Sequence, residues 1–423
     1  MSDGRIIRVW SREVLDSRGN PTVEAQVEAG SVVVTAIAPS GASTGTFEAL
    51  ELRDGGTRYL GKGVLTAVSN VRKLISPKLT GMDVTDLGAI DAAMKELDGT
   101  DNMARLGGNA TTAVSYAAAK AGAILKGVEL HDHLGSGSDV LPVPCMNVIN
   151  GGRHAGSKLK IQEFMIAPCG VRSFTESIRV GVEVYHSLKQ VLKKEMGALA
   201  INVGDEGGFA PPLDTSRQAM DILMKAIENA GYTPGKEVYL AMDPAASEFF
   251  SDGRYELDGK NLSCGEIVDF YVSLSKEYPL ISLEDPVHEE GFEDLAELTR
   301  RIGDRVQLVG DDIFVTNPVR LRRGMELGAG NAMLLKVNQI GTITQAMQAA
   351  GMCFERGYNV MVSHRSGETE DTTIADLAVA LECGQLKCGA PARTERTAKY
   401  NRLLRIEEGL GSKARFKGRE AFL

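Results

Sequence analysis

LISLE (Leu280–Glu284) and AMLLK (Ala332–Lys336) show the pattern that decides the fold, a short apolar run that ends on an ionisable residue. The second half of the 423-residue chain carries six such runs. Successive ends lie 23 to 41 residues apart, so each interval has room for one helix and two short loops. The six ends are Asp243, Glu284, Asp311, Lys336, His364 and Lys387.

This rhythm predicts a (β/α) barrel of parallel strands and covering helices. The active site of such a barrel gathers at the carboxyl ends of its strands. The three acids, two lysines and one histidine are therefore expected around one pocket. That arrangement indicates an enzyme.

The barrel is expected to begin irregularly. Pro142 to Ile149 and Lys160 to Ala167 both resemble strands, and only a short glycine-rich loop separates them. Because no helix fits in that loop, the two strands are expected to pair antiparallel. Two helical patterns follow before the strand that ends at Asp243, and the first of them starts with a capping box, Ser173 and Glu176.

The first part of the chain has a different pattern, in which predicted strands come first and predicted helices follow. Strands are expected from Ile6 to Trp10, from Thr22 to Val27 and from Val32 to Ala38, with the last two forming a hairpin. Helical patterns follow at about 64–76, 84–97 and 108–126. The predicted fold class is α/β: a modified (β/α)8 TIM-type barrel with a ββαα start over residues 136–423, preceded by a smaller α+β domain over residues 1–135.

Composition sets the broad class. The net charge of −9 and the pI near 5.4 argue against general binding to nucleic acid or to anionic membranes. No apolar run approaches the roughly 20 residues that a membrane-spanning helix needs. The six cysteines form no CxxC pair, and the first residues lack the apolar core of a secretory signal. A cytoplasmic enzyme is expected.

Carboxylates on three successive strand ends favour Mg²⁺ over zinc, because Mg²⁺ prefers oxygen ligands. The alternative for any one of these acids is a cap on the following helix. Asp285 and Asp312 stand beside Glu284 and Asp311 and could do that capping instead. Three acids in series, followed by basic residues, favour the metal site.

The basic strand ends suggest two further roles. Lys336 and Lys387 are expected to point into the same pocket, where a lysine near other cations can act as a neutral base. The alternative is a salt bridge that only neutralises the acids. His364-Arg365-Ser366 offers donors for a phosphate or a carboxylate. Two glycine-rich segments, Ser40–Gly45 and Gly204–Gly208, are candidate moving loops.

Longer motifs resemble those of the enolase family across nearly the whole chain, in the family's order. They include the Asp16–Glu24 segment, the Ser40–Gly45 loop and Gln162–Met165. They continue through Gly204–Gly208, Ser282–Pro286, Leu335–Gly341 and Val362–Thr369. The resemblance implies a lyase that interconverts 2-phosphoglycerate and phosphoenolpyruvate in glycolysis and gluconeogenesis, through an enolate stabilised by Mg²⁺.

The resemblance also implies a role for each matching residue. Asp243, Glu284 and Asp311 match the ligands of a first Mg²⁺, and Ser43 matches a ligand of a second Mg²⁺ that joins with substrate. Lys336 matches the base at C2, and Glu206, with Glu163 beside it, matches the acid at the C3 hydroxyl. Residues implied around the phosphorylated carboxylic acid substrate are His154, Glu163, Glu284, Asp311, Lys336, His364, Arg365, Ser366 and Lys387.

Two rival interpretations stay open at this point. The first is a dehydratase or cycloisomerase of unphosphorylated acids. Such enzymes use a K-x-K pair of bases, and Lys158 and Lys160 superficially resemble that pair. Those lysines precede the second strand instead of ending it, which argues against this interpretation. The second is a non-catalytic protein that reuses the fold, although no expected ligand or base is missing. The resemblance implies at least a homodimer, with no nucleic acid partner and no membrane insertion.

Overall fold

A computed structural model describes residues 4–41, 47–152 and 158–422 of the chain. Three antiparallel strands come first: β1 (Ile6–Leu15), β2 (Pro21–Ala29) and β3 (Val32–Ile37). The hairpin predicted between the second and third strands is confirmed, with Ala29 opposite Val32. β1 extends five residues beyond the predicted Trp10, because it pairs with β2 as far as Leu15 and Pro21. Such pairing is long-range and leaves no local pattern in the sequence.

Helices cover one face of this sheet. The alanine-rich α4 is almost entirely buried and packs on β2 and β3, as its small side chains allow. The helix expected at 64–76 is present in three consecutive pieces, with a π-helical turn from Val71 to Ile75 between α1 and α2. The helices of this part are α1 (Leu65–Asn70), α2 (Ser76–Leu79), α3 (Leu87–Asp98), α4 (Gly108–Lys126) and α5 (Leu130–Leu134).

Eight further strands close into a barrel, as the spacing predicts. β5 runs antiparallel to both of its neighbours, β4 and β6, and the remaining neighbours pair parallel. The predicted antiparallel start is therefore confirmed. The barrel strands are β4 (Val143–Asn150), β5 (Glu163–Ala167), β6 (Tyr239–Asp243), β7 (Leu280–Glu284), β8 (Gln307–Gly310), β9 (Ala332–Leu335), β10 (Asn359–Ser363) and β11 (Gln385–Lys387).

Helices surround the barrel, so its strands are buried on both faces. Two helices, α6 and α7, stand between β5 and β6 and complete the ββαα order. The described helices of the barrel are α6 (Phe174–Met196), α7 (Ser216–Asn229), α8 (Cys264–Glu277), α9 (Phe292–Ile302), α10 (Pro318–Leu327), α11 (Val337–Ile340), α12 (Ile343–Glu355), α13 (Thr373–Ala380) and α14 (Thr394–Leu410).

The capping box predicted for α6 is only half formed. Ser173 Oγ accepts a hydrogen bond from the Glu176 amide at 3.2 Å. The Glu176 carboxylate pairs with Arg179 one turn along the helix, where an exposed ion pair replaces the expected bond to the Ser173 amide. Asn317 is the N-cap of α10, because its side chain accepts a hydrogen bond from Val319 N at 2.9 Å.

The N-terminal sheet packs against the carboxyl end of the barrel. Ser40 and Gly367 exchange two backbone hydrogen bonds of 2.8 Å, and a side chain on Gly367 would collide with Asp16, Arg18 and Ser40. Lys120 of α4 pairs with Asp371 at 2.6 Å. The strand-end residues therefore lie where the two parts of the molecule meet. Among the described residues, no helix is both long enough and apolar enough to cross a membrane.

Candidate active site

A polar cleft opens at the carboxyl end of the barrel and is lined by residues of the barrel part. Most of the site residues expected from the sequence line it. Glu284 is buried beside the cleft and contacts one of the residues that line it. The lining includes Glu163, Glu206, Asp243, Asp311, Lys336, His364, Arg365, Ser366 and Lys387. Ser43 and His154 lie outside the described residues, so their predicted roles stay predictions.

Lys387 is the centre of the acidic side of the cleft. Its Nζ lies 2.9 Å from Asp243 Oδ2, 2.8 Å from Glu284 Oε1 and 3.2 Å from Glu163 Oε2. Burial disfavours the charged lysine, but the three carboxylates outweigh burial and raise the pKa of Lys387 well above its ordinary value. Lys387 therefore carries a positive charge at the end of β11.

The predicted carboxylates do not cap the helices that follow them. The residue before α9 is Gly291, and the residue before α10 is Asn317, whose own side chain makes the cap. Asp243 uses one oxygen to accept from the Ala245 amide at 2.9 Å, while the other oxygen faces Lys387. Capping therefore does not explain the acids at the ends of β7 and β8.

Asp285 and Asp312 do not cap the helices that follow them, contrary to expectation. The two oxygens of Asp285 accept from the amides of Asp311 and Asp312 at 2.9 and 2.7 Å. Asp285 holds this position with a φ of +37°, which costs energy for a residue with a side chain. It thus ties the end of β7 to the end of β8 and orients the Asp311 backbone.

The donor set fits a hard divalent cation. Carboxylate oxygens of Asp285, Asp311 and Asp312 lie within 4.8 Å of one another, a set that differs from the predicted trio by two members. Burial, followed by the charge of Asp243, raises the pKa of Glu284 well above its ordinary value. The buried carboxyl groups that line the cleft outnumber its buried basic side chains, so negative charge is in excess when these groups are ionised. Oxygen donors with excess negative charge suit Mg²⁺.

Lys336 follows β9 and forms an ion pair with Asp311. Gln339 joins them, because its Nε2 donates to Asp311 Oδ1 at 2.8 Å. Burial disfavours the charged form of Lys336, but Asp311 outweighs burial, and the pKa of the lysine lies above its ordinary value. The neutral lysine expected from the sequence is therefore not the form that this arrangement stabilises.

Glu163 and Glu206 form the opposite side of the cleft. Burial, followed by the charge of Glu206, raises the pKa of Glu163 well above its ordinary value, which favours a proton on this carboxyl pair. Asn147 Nδ2 donates to Glu206 Oε2 at 3.0 Å, and His364 Nε2 lies 3.3 Å from the same oxygen. One carboxyl group of the pair can therefore donate a proton.

Arg365 is held by a residue from the N-terminal part. Its two terminal nitrogens donate to Glu48 at 2.9 and 3.1 Å, and Nη1 also donates to Asn338 at 3.0 Å. Ser366 lies beside it and lines the cleft. The three donors predicted to hold an anion, His364, Arg365 and Ser366, are therefore brought together.

Several polar partners escaped the sequence reasoning. Asn147, Glu48 and Arg396 each bond to a predicted site residue, but none of them ends a predicted parallel strand. Asn147 faces inward on the antiparallel start, Glu48 follows the first glycine-rich loop, and Arg396 lies on the last long helix. A search for polar residues inside apolar runs could have found Asn147.

Two further predicted features are the K-x-K lysines and the second glycine-rich segment, Gly204–Gly208. The side chains of Lys158 and Lys160 pair with Asp214 and Glu256 near the surface and do not line the cleft. The carbonyls of Gly204, Asp205, Glu206 and Gly207 accept hydrogen bonds from Arg393, Arg396, Ala390 and Tyr185. Those bonds argue against the expectation that this segment is a moving loop.

Comparison with known proteins gives matches along almost the whole chain. Residues 138–423 match the family described as the C-terminal TIM barrel domain of enolase, and residues 6–134 match the enolase N-terminal domain. The chain is 57% identical to an enolase of Methanopyrus kandleri over 422 residues, 99% of each protein. It is also 57% identical to an enolase of Pyrococcus furiosus over 98% of this chain and 97% of that protein. The enolase of Thermococcus kodakarensis is 56% identical, with the same coverage.

Proposed function

The chain belongs to the enolase family, and we propose that the residues of its cleft divide the work of the family's reaction among them. As a member of this family it is a hydro-lyase that interconverts 2-phosphoglycerate and phosphoenolpyruvate. The reaction removes a proton from C2 and a hydroxyl group from C3. The observation that carries the proposal is a lysine–aspartate pair, Lys336 with Asp311, in the same cleft as the buried carboxyl groups of Glu163 and Glu206.

Lys336 is the base at C2. It sits at the end of β9 with its side chain largely buried, and it pairs with Asp311, which is not one of the three carboxylates that contact Lys387. Its proton is held by Asp311, so the base becomes active when the charge of Asp311 is neutralised. General base catalysis of this kind contributes roughly 10² to 10⁴ to a rate.

Glu206 is the acid at the C3 hydroxyl, and Glu163 supports it. Two carboxyl groups that share a buried site disfavour ionisation of both, and the raised pKa of Glu163 agrees with a proton shared between them. That proton can pass to the departing hydroxyl. Asn147 and His364 orient Glu206 through its Oε2 atom.

Asp243, Glu284 and Asp311 would hold one Mg²⁺, and Ser43 would help to hold a second that joins with substrate. When bound, the two ions would stabilise the negative charge that develops on the substrate carboxylate. The excess of buried carboxylates supports this assignment. Asp285 and Asp312 are close enough to Asp311 to orient it or to contribute an oxygen.

The remaining basic and polar groups recognise the substrate. Lys387 lies among the acidic side chains of the cleft and supplies positive charge for the substrate carboxylate. Arg365 and Ser366 offer donors for the phosphate. His154 is expected to add a further donor, and His364 lines the same cleft. A guanidinium suits phosphate because it donates two parallel hydrogen bonds.

The biological setting follows from the same family. We expect a cytoplasmic enzyme that assembles at least as a homodimer, with domains divided near residue 135. The net charge of −9 supports the expectation of no nucleic acid partner.

The test is the ultraviolet assay for phosphoenolpyruvate formed from 2-phosphoglycerate, with Mg²⁺ and with excess EDTA. Activity with Mg²⁺ and its loss in EDTA support the proposal. Unphosphorylated sugar acids serve as the comparison substrates. Turnover of those acids in place of 2-phosphoglycerate would replace the proposal with the dehydratase interpretation.

A further inference from the structure

Arg396 is a fully buried arginine to which the proposed function assigns no role. It lies in the first turn of α14, and its side chain has no exposed surface. Its Nη1 atom contacts His364 Nδ1 at 2.5 Å and the Arg365 carbonyl at 2.6 Å. Its Nη2 atom donates to the carbonyls of Ser366 and Asp205 at 2.6 and 3.2 Å.

The contact with His364 fixes the position of the imidazole proton. A guanidinium has only donors, so Nδ1 of His364 must accept. A histidine whose Nδ1 accepts carries its proton on Nε2. That nitrogen lies 3.3 Å from Glu206 Oε2 and therefore donates to the carboxyl group.

The surrounding charges agree with a neutral ring. Burial, with the positive charges of Arg396 and Lys387, lowers the pKa of His364 to about 4 against the opposing effect of Glu206. The other tautomer would place an N–H against the donors of Arg396. It would also turn a lone pair toward the oxygens of Glu206, so two contacts would become repulsive.

The backbone around Arg396 is shaped to admit it. Gly389 has a φ of +71°, and a Cβ atom there would lie 2.9 Å from Arg396 Cδ and 2.7 Å from the Glu206 carbonyl. The arginine thus passes between the Glu206 segment and the end of β11. It donates to the carbonyls of Arg365 and Ser366, next to His364, and to the carbonyl of Asp205, next to Glu206.

We propose that Arg396 is a positioning residue for Glu206, which selects the Nε2–H tautomer of His364 and so fixes the direction from which Glu206 receives a hydrogen bond. This inference rests on the proposed role of Glu206 as the acid at C3. It assigns to the last long helix of the barrel a part in the dehydration half of the reaction. It leaves the removal of the C2 proton to Lys336.

The direct experiment is ¹⁵N NMR of the protein labelled with ¹⁵N-histidine, with the His364 signals assigned by their loss in His364→Gln. At about pH 7 the wild-type spectrum should show a protonated Nε2 and a bare Nδ1, as neutral imidazole tautomers do. Arg396→Met should give a mixture of tautomers or the other form. A wild-type His364 with its proton on Nδ1, or protonated on both nitrogens, would overturn the inference.

Kinetics provide the second readout. Arg396→Met should lower kcat for dehydration about 10- to 100-fold, the usual effect of losing a residue that orients a catalytic group. The same variant should lose much less of the exchange of the C2 proton with solvent. Equal losses in the two steps, or no loss in kcat, would contradict a positioning role for Arg396.

A matched background separates positioning from general damage to the fold. Glutamine at position 364 can donate from an amide nitrogen and has no tautomers. Arg396→Met should therefore cost less in the His364→Gln background than in the wild type. Full additivity of the two changes would count against the inference, and Arg396→Lys, which keeps a charged donor, should retain the wild-type tautomer.

Failure of the proposed function would look different. If Glu206→Gln retains dehydration, the acid assignment is wrong even where the NMR result is as expected. If Glu206→Gln abolishes dehydration while the wild-type His364 carries its proton on Nδ1, only the role of Arg396 is wrong.

Discussion

Asp91 is a buried acid that joins the N-terminal part to the barrel. Its carboxylate accepts from Ser115 Oγ at 3.1 Å and from the Thr344 amide, in the first turn of α12, at 3.0 Å. Burial raises its pKa from an ordinary 3.8 to about 6. The folded protein therefore binds this proton more tightly than the unfolded chain.

This shift gives a prediction with a definite sign. The stabilising contribution of Asp91 is present at low pH and is lost as the pH rises through about 6, since the folded pKa is the higher one. Between about pH 7 and about pH 4.5 the wild type should gain about 2 kcal/mol in unfolding free energy relative to Asp91→Asn. Thermal unfolding of both proteins across this range measures the difference.

The control is Asp101→Asn, because Asp101 is exposed. Its pH profile should follow that of the wild type. An Asp91→Asn profile parallel to the wild type would show that Asp91 titrates as it does in the unfolded chain.

Single residues were predictable from the sequence where they end an apolar run. Lys387 and Glu284 stand at such ends, and they contact each other at 2.8 Å. Arg396 was not predictable, because it sits on a charged helix among other basic residues and its burial depends on distant segments. Its partners are about 30 to 190 positions away in the chain.

The segment after the first glycine-rich loop connects the N-terminal part to the site. Ala49 N donates to the Gln339 carbonyl at 2.7 Å, and Glu48 pairs with Arg365. Both members of this ion pair are buried, with 3% and 8% of their side chains exposed. The described residues on either side of 42–46 are therefore anchored, Ser40 at Gly367 and Glu48 at Arg365.

Glu48→Gln should loosen this anchor. Glu48 is the acid with the largest effect on buried Arg365, and removal of one charge from a buried ion pair costs about 3 to 5 kcal/mol. We expect a lower melting temperature and faster hydrogen exchange at the amides of residues 47–52, measured by mass spectrometry. Glu96→Gln, which removes an exposed pair with Lys78, is the control and should change neither. Unchanged exchange at 47–52 in Glu48→Gln would mean that the ion pair does not anchor the segment.

Elements were predicted best where length alone restricted the possibilities. The gap between Ile149 and Lys160 is too short for a helix that could cross back over the barrel, so an antiparallel start was required. The end of β1 was predicted too early, and its true extent depends on its pairing with β2. The set Asp285, Asp311 and Asp312 was also not expected, because it depends on the backbone turn at Asp285.

The whole molecule concentrates negative charge at the carboxyl end of the barrel. This concentration favours binding of a divalent cation to the folded state over the unfolded chain. Mg²⁺ at about 100 times its Kd should therefore raise the free energy of unfolding by about 2.7 kcal/mol. The measurement is the melting temperature as a function of Mg²⁺ concentration.

Asp311→Asn should reduce this stabilisation, because it removes a charge from the centre of the donor set. Asp214→Asn is the matched control, since Asp214 is an exposed partner of Lys158 away from the cleft. An Asp311→Asn protein that is stabilised by Mg²⁺ as strongly as the wild type would place the cation elsewhere.

The central claim is that Lys336, at the end of β9, removes the C2 proton independently of the glutamate pair. The most direct measurement is NMR of the exchange of the C2 hydrogen of 2-phosphoglycerate with deuterium from solvent. Lys336→Ala should slow this exchange by roughly 10² to 10⁴, while the surface variant Lys189→Ala should exchange like the wild type. Glu206→Gln should still exchange C2 hydrogen but form little phosphoenolpyruvate. Exchange at the wild-type rate in Lys336→Ala would contradict the account.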